Sequence, residues 1–287
     1  MEDNRLKGVI YMLISGLAFA FMSLAVRLSG DLPVVEKVFS RNLVSMFVAF
    51  WMIYKSDPGV RLFGKPENQK YLISRSLLGL LGVVFFFYSI KHITITDANI
   101  LSRLHPVFVT LFSYLFLSER ISKLQVPSLI AVFICAMLVI KPKFDLSVIP
   151  ALAAVGTAVC AGATYTIVRF LKGREEPATI VFYFSFISVV VMLPFLCFDF
   201  VFPSLTQFLW LFGIGFFASL GQFGLTLAYK YSKAAEVSIY SYSTIIFAAL
   251  LGFMFAGELP DLLSIIGGLG IIITAVVLYS YNKRKNI

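Results

Sequence analysis

Three arginines stand where arginines are costly. Arg41, Arg75 and Arg103 each lie inside an apolar run long enough to cross a bilayer, where insertion measurements alone charge an arginine about 2.5–3.5 kcal/mol. A guanidinium so placed can offer its planar fork of donors to a carboxylate or phosphate. The alternative is snorkelling. Each arginine sits about five residues inside its run, roughly 7–8 Å at about 1.5 Å per residue, while a midplane is about 15 Å deep, so a long side chain could reach the interface. Arg41 and Arg103 would then reach toward one face and Arg75 toward the other.

Arg103 belongs to the densest polar pattern in the chain. Across residues 96–120, TDANILSRLHPVFVTLFSYLFLSER, a helical reading puts Asn99, Arg103, Pro106, Thr110 and Ser113 on one stripe. His105 lies beside that stripe and could carry a proton or simply pack. Pro106 should kink the helix and free a carbonyl, as a hinge does. In the second half Gly215, Ser219, Gln222 and Thr226 form another stripe, and Thr157, Thr164 and Tyr165 add polar groups to an apolar run. Together these residues suggest a cavity lined by guanidinium, amide, hydroxyl and phenol groups. Polar side chains also bind helices together, at about 0.6 kcal/mol each, and for any single one that reading is as good.

The acids Glu36, Asp97, Glu119, Glu236 and Glu258 all fall near the ends of apolar runs. Proton-driven pumps commonly keep a carboxylate in mid-span, so strict proton coupling is not supported. Glu119 and Glu258 are expected to pair with Arg120, Lys123 or neighbouring turns, with gating as the alternative. The chain has no H-E-x-x-H, no G-x-S-x-G, no nucleotide loop and two histidines in all, which argues against an intramembrane enzyme. No metal site and no cofactor are expected. Cys135, Cys160 and Cys197 read as small buried hydrophobes.

The elements that must hold these groups are membrane helices. The chain is 59% hydrophobic and 14% charged, with a mean hydropathy of +0.91. Ten apolar runs approach or reach the roughly 20 residues a crossing needs: 8–26, 38–54, 71–90, 98–118, 124–140, 146–168, 177–198, 204–229, 237–257 and 262–281. Ahead of the first run, Arg5 and Lys7, with Ala18-Phe19-Ala20 inside it, imitate a signal peptide. The run is long for one, and we read it as a helix of the bundle. The net charge of +9 reports topology rather than a nucleic-acid partner. With the N-terminus inside, 16 of the 24 basic residues fall in cytoplasmic segments, five fall outside and three within spans. That bias places both termini in the cytoplasm.

The chain also repeats itself. A shift of 139 residues sets Gly82 on Gly221, Lys91 on Lys230, Asp97 on Glu236, Asn99 on Ser238, Arg103 on Tyr242 and Glu119 on Glu258, and an earlier register at 142 sets Arg27 on Arg169. We divide the chain into residues 1–144 and 145–287, five spans each. Because five is odd, the second copy must enter the membrane inverted, and inverted halves can expose a site between them alternately to each side.

The phrase FFFYSIKHITITDANILSRLHPVFVTLFSYLFLSER and its echo LTLAYKYSKAAEVSIYSYSTIIFAALLGFMFAGE, each closing on a glutamate, resemble the EamA-domain branch of the drug/metabolite transporter superfamily over essentially the whole chain. The resemblance implies a multi-pass carrier for small metabolites in a bacterial cytoplasmic membrane, and no particular substrate. One departure breaks the symmetry: the first copy has Arg103-Leu104-His105-Pro106, the second Tyr242-Ser243-Thr244 and no proline. The expected protein is therefore all-α, with ten transmembrane helices in two inverted five-helix repeats. It moves a small anionic or zwitterionic metabolite by alternating access, and a channel or a non-transporting sensor is the alternative. Its expected partners are that small molecule and the lipid bilayer; a monomer suffices, with a homodimer left open. The residues expected at the substrate are Arg41, Arg75, Asn99, Arg103, His105, Tyr165, Gln222, Ser238 and Tyr242, with Pro106, Glu119 and Glu258 at hinges or gates.

Overall fold

A computed structural model describes residues 5–55, 61–117, 125–140, 148–171, 173–231 and 238–284. Among them are eleven α-helices: α1 (Arg5–Leu28), α2 (Val34–Tyr54), α3 (Gln69–His92), α4 (Ile95–Ser102), α5 (His105–Leu117), α6 (Gln125–Ile140), α7 (Ile149–Leu171), α8 (Pro177–Phe198), α9 (Leu205–Tyr231), α10 (Ser243–Ala256) and α11 (Leu262–Arg284). Six helices are long and apolar enough to span a membrane: Leu6–Leu28, Pro66–His92, Ile149–Val168, Pro177–Phe198, Leu205–Leu225 and Leu262–Tyr281. The chain is a multi-pass, all-helical membrane protein. Its surface is inverted relative to a soluble protein, with Phe198 and Phe202 at 92% and 89% exposure and Ser185 and Ser188 fully buried. α1 is part of the main core through Ala20, Leu24 and Ala25, as a bundle helix must be. Cys160 is buried and Cys135 partly so, but Cys197 is exposed near the end of α8, among surface phenylalanines rather than in a core.

Helix packing follows the repeat. α1 packs along α9, and α3 along α7; α1 meets α10, and α7 meets both α4 and α5; α2 lies on α8, and α6 on α11. Counting α4 and α5 as one interrupted span, each of these pairings returns one of them when each span is exchanged for the one five places on. Close approach needs small residues at these crossings. A methyl group at Gly16 would stand 2.7 Å from Ser243 Oγ, where α1 crosses the start of α10. A methyl at Gly162 would stand 3.0 Å from the Phe108 carbonyl carbon and 3.1 Å from the Val109 nitrogen, where α7 crosses α5. Backbone cannot yield as a side-chain tip can. We expect Gly162→Ala to cost about 1–3 kcal/mol through overpacking, read as a lower thermal midpoint in detergent; an unchanged midpoint would show that α5 can move aside.

The stripe drawn through residues 99–113 does not survive as one helix. The fourth span breaks at Arg103 and Leu104, between α4 and α5. Pro106 has no N–H to return to the Ser102 carbonyl, and its ring crowds that carbonyl. It sits instead in the first turn of α5, where a missing N–H costs nothing. At the matching register of the ninth span the described residues open with a 3-10 segment at Ser238–Tyr242, which leads into α10.

Candidate functional site

Arg41 comes from α2 and Arg75 from α3, yet the two guanidiniums converge. Both approach the ring of Phe184 on α8, with the Arg75 Cζ 4.3 Å and the Arg41 Cζ 5.7 Å from its centroid. The expectation that snorkelling would send them to opposite faces is corrected by this geometry: two groups on one ring cannot be at opposite interfaces. Gly79 opens the space, since a methyl there would meet the Phe184 ring at 3.0 Å. Arg41 donates from Nη1 to Asn42 Oδ1 at 2.9 Å. Its Nε is buried without a partner, as are Nε and Nη1 of Arg75. Among the described residues the electrostatic neighbours of the pair are each other and the Tyr165 phenol, with no carboxylate. The two charges lie at most about 10 Å apart, so they repel by at least about 1.7 kcal/mol at an effective dielectric of 20. Buried charges are normally paired; this pair is half-buried, and three of its nitrogens lack partners.

Tyr165 links this pair to the helix breaks. Its ring lies 5.3 Å from that of His105, centroid to centroid, and it is 42% exposed although it neighbours both arginines. His105 Nδ1 stands 3.1 Å from the Ser102 carbonyl that Pro106 leaves without its helical donor. Arg103, at the C-terminal end of α4, donates from Nη2 to Thr244 Oγ1 at 2.8 Å, and Tyr242 is its electrostatic neighbour. That bond joins the broken fourth span to the start of α10, one from each half of the chain. The C-terminal end of α4 favours a cation and the N-terminal ends of α5 and α10 favour an anion. Arg41, Arg75, Arg103, His105, Tyr165 and Tyr242 thus gather around one region, with Phe184 and Thr244 as members that sequence reading passed over.

The other expected site residues fall elsewhere or lie beyond description. Asn99 is buried and donates from Nδ2 to Ser23 Oγ at 3.2 Å and to the Ile95 carbonyl at 2.8 Å, fastening α4 to α1. Gln222 is half-buried on α9. Ser219 bonds Ser45 Oγ at 3.3 Å, and a methyl at Gly215 would stand 2.8 Å from Val44 Cγ2. That part of the second stripe is a helix–helix seam rather than a cavity wall. For Ser238 only the backbone is described, and Glu119 and Glu236 lie outside the described residues.

Glu258 is not paired within its own half. Gly257 closes α10 at φ +64°, a conformation only glycine adopts cheaply, and turns Glu258 toward the start of α4. There Glu258 forms an ion pair with Arg27 at the end of α1 and accepts the Ile95 N–H at 2.7 Å. Arg27 also donates to the carbonyls of Lys91 and Ile93 at 3.0 and 2.8 Å. Pairing with Arg120, Lys123 or a neighbouring turn is thereby overturned for Glu258: the left-handed turn aims its carboxylate across the bundle.

The EamA-like transporter family model matches the chain twice, over residues 6–141 and 148–280. The chain belongs to the EamA-like transporter family. Among the relatives of this EamA protein is the pseudopaline exporter CntI of Pseudomonas aeruginosa, 34% identical over 280 residues, covering 96% of this chain and 97% of that one. The riboflavin transporter of Vibrio cholerae is 22% identical over 295 residues, covering 100% and 97%. A transporter of Helicobacter pylori is 25% identical over 276 residues, covering 93% and 92%. A crystal structure of 17% identity superposes with a TM-score of 0.71 over 98% of this chain and 99% of the other, a likeness of fold. Two matches to one family model in tandem imply an internal repeat in this chain. This EamA protein is a transporter and not an enzyme.

Proposed function

We propose that this protein is a secondary transporter that carries a small anionic or zwitterionic metabolite across the cytoplasmic membrane by alternating access. The observation that supports it most is the Arg103–Thr244 bond. It brings a cation at the break of the fourth span to the start of α10, at corresponding positions of the two halves. Interrupted spans in corresponding positions are where carriers built from repeats hold their ligand. The helix pairings that map onto themselves under a five-span exchange support two halves, 1–144 and 145–287, related by a twofold axis. With five spans each, that axis lies in the membrane plane, the second half is inverted and both termini are cytoplasmic. Arg41, Arg75, Arg103, His105, Tyr165 and Tyr242 would face the ligand, Pro106 would serve as the hinge, and the Arg27–Glu258 bridge would close one face. The two relatives with named substrates carry different compounds, pseudopaline and riboflavin, so shared family membership leaves the cargo open.

Counterflow tests the reading. Proteoliposomes holding the purified chain, preloaded with an unlabelled metabolite that raises its thermal midpoint, should take up the labelled form faster than empty ones. A carrier returns loaded more readily than empty, whereas a channel gives equal rates. Equal rates for every stabilising compound would overturn the proposal.

A further inference from the structure

The proposal above leaves the charge of the cargo open, and Arg41 and Arg75 narrow it. We infer that these two residues, braced on Phe184, receive an end of the substrate that carries two negative charges, as a pair of neighbouring carboxylates or one phosphate group. The inference rests on the carrier reading and extends it. Both guanidiniums stand on one phenyl face, 4.3 and 5.7 Å from its centroid. Three of their nitrogens are buried without partners, and among the described residues no carboxylate is an electrostatic neighbour of either. A singly charged end would leave one cation uncompensated beside an aromatic ring; two negative charges neutralise both and can be met bidentately, fork to fork. The ring fixes the separation of the two forks, because cation–π attraction holds each guanidinium within about 6 Å of the ring centre. The phenol of Tyr165 neighbours both arginines and is available to donate to a further acceptor. Arg103 stands apart at the helix breaks and meets the remainder of the ligand. A zwitterion with one carboxylate fits Arg103 and not the pair.

The test uses the detergent-purified full chain and fragment probes: acetate and alanine as carriers of one carboxylate, succinate and glutarate as carriers of two, and methyl phosphate as a phosphomonoester. Binding is read as the shift of thermal midpoint with probe concentration. The expected result is an affinity at least tenfold higher for a doubly charged probe than for acetate, lost in Arg41→Gln and in Arg75→Gln. A response to the dicarboxylates alone identifies two carboxylates, and one to methyl phosphate alone identifies a phosphate. Two controls keep the inference exposed. Without probe, each glutamine variant should melt at or above the parent, since one of two repelling charges is gone and, at position 41, the amide can still serve Asn42. A lower midpoint would make the arginines structural and overturn the inference. Equal affinity for acetate and succinate would overturn it as well. Stabilisation by alanine that depends on Arg103 and not on Arg41 or Arg75 would leave the carrier reading standing while removing the dianion; absence of counterflow with every stabilising probe would remove the carrier reading itself.

Discussion

Replacing Arg103 by glutamine should reduce transport about a hundredfold while the protein still inserts, folds and melts near the parent temperature. Removing one member of a desolvated, hydrogen-bonded charge interaction costs about 2–5 kcal/mol, and a hundredfold corresponds to about 2.8 kcal/mol. The fold does not depend on the charge. Arg103 follows the last turn of α4, where its backbone N–H already reaches the carbonyls of Asn99 and Ile100, and glutamine keeps a donor for Thr244. What disappears is the cation between the starts of α5 and α10. Thr244→Val supplies the contrast, because it removes the hydrogen-bond acceptor and keeps the charge. Thr244 is fully buried, so the methyl replacing its hydroxyl changes packing little, and transport should fall only severalfold. Uptake into proteoliposomes at matched protein density separates the two. If R103Q transports as well as T244V, the arginine is an anchor between helices and not a ligand for the cargo.

Much of this arrangement was open to reading before any coordinates, for identifiable reasons. Spans are legible because a bilayer demands roughly 20 apolar residues in a row, and a charged residue beside most of their ends marks where the demand stops. The repeat is legible because the same constraint acts on both halves. The first helix break was half legible. Pro106 announces a lost hydrogen bond, and the structure turns that loss into a full interruption. The 3-10 segment ahead of α10 carries no such signal: Ser238–Tyr242 contains neither proline nor glycine, and the segment packs against α1. Phe184 could not have been singled out. It is one of 30 phenylalanines, and its role depends on two arginines from other helices arriving at its face. Asn99 and Ser219 misled for the opposite reason. Their spacing is that of a polar stripe, but hydrogen bonds within and between helices satisfy such a stripe as well as a ligand does.

The pairing of Arg27 with Glu258 was within reach, since both fall at span ends that the charge bias places outside, yet 231 residues separate them and only the folded topology brings them together. The bridge leads to a second large effect. Glu258→Gln should lower the thermal midpoint and open the face it closes. The carboxylate serves α1 through Arg27 and α4 through the Ile95 N–H, and it leaves from the end of α10. One side chain therefore ties three helices drawn from both halves. The side chains are 25% and 13% exposed, which screens the Coulomb attraction, so a loss of about 1–2 kcal/mol is expected rather than the larger figure for a fully buried pair. Ser29, fully buried two residues beyond Arg27, reports the opening. As Ser29→Cys in a chain whose three native cysteines are replaced, it should react with an impermeant maleimide faster in the E258Q background. Exchanging the charges, with Arg27→Glu and Glu258→Arg together, should recover only part of the stability. An arginine at 258 turns its donors toward the Ile95 N–H, which is itself a donor, and a glutamate at 27 turns an acceptor toward the carbonyls of Lys91 and Ile93. Full recovery by the exchange would reduce the bridge to simple charge attraction. An unchanged midpoint together with unchanged labelling in E258Q would mean that apolar packing, and not this ion pair, keeps that face shut.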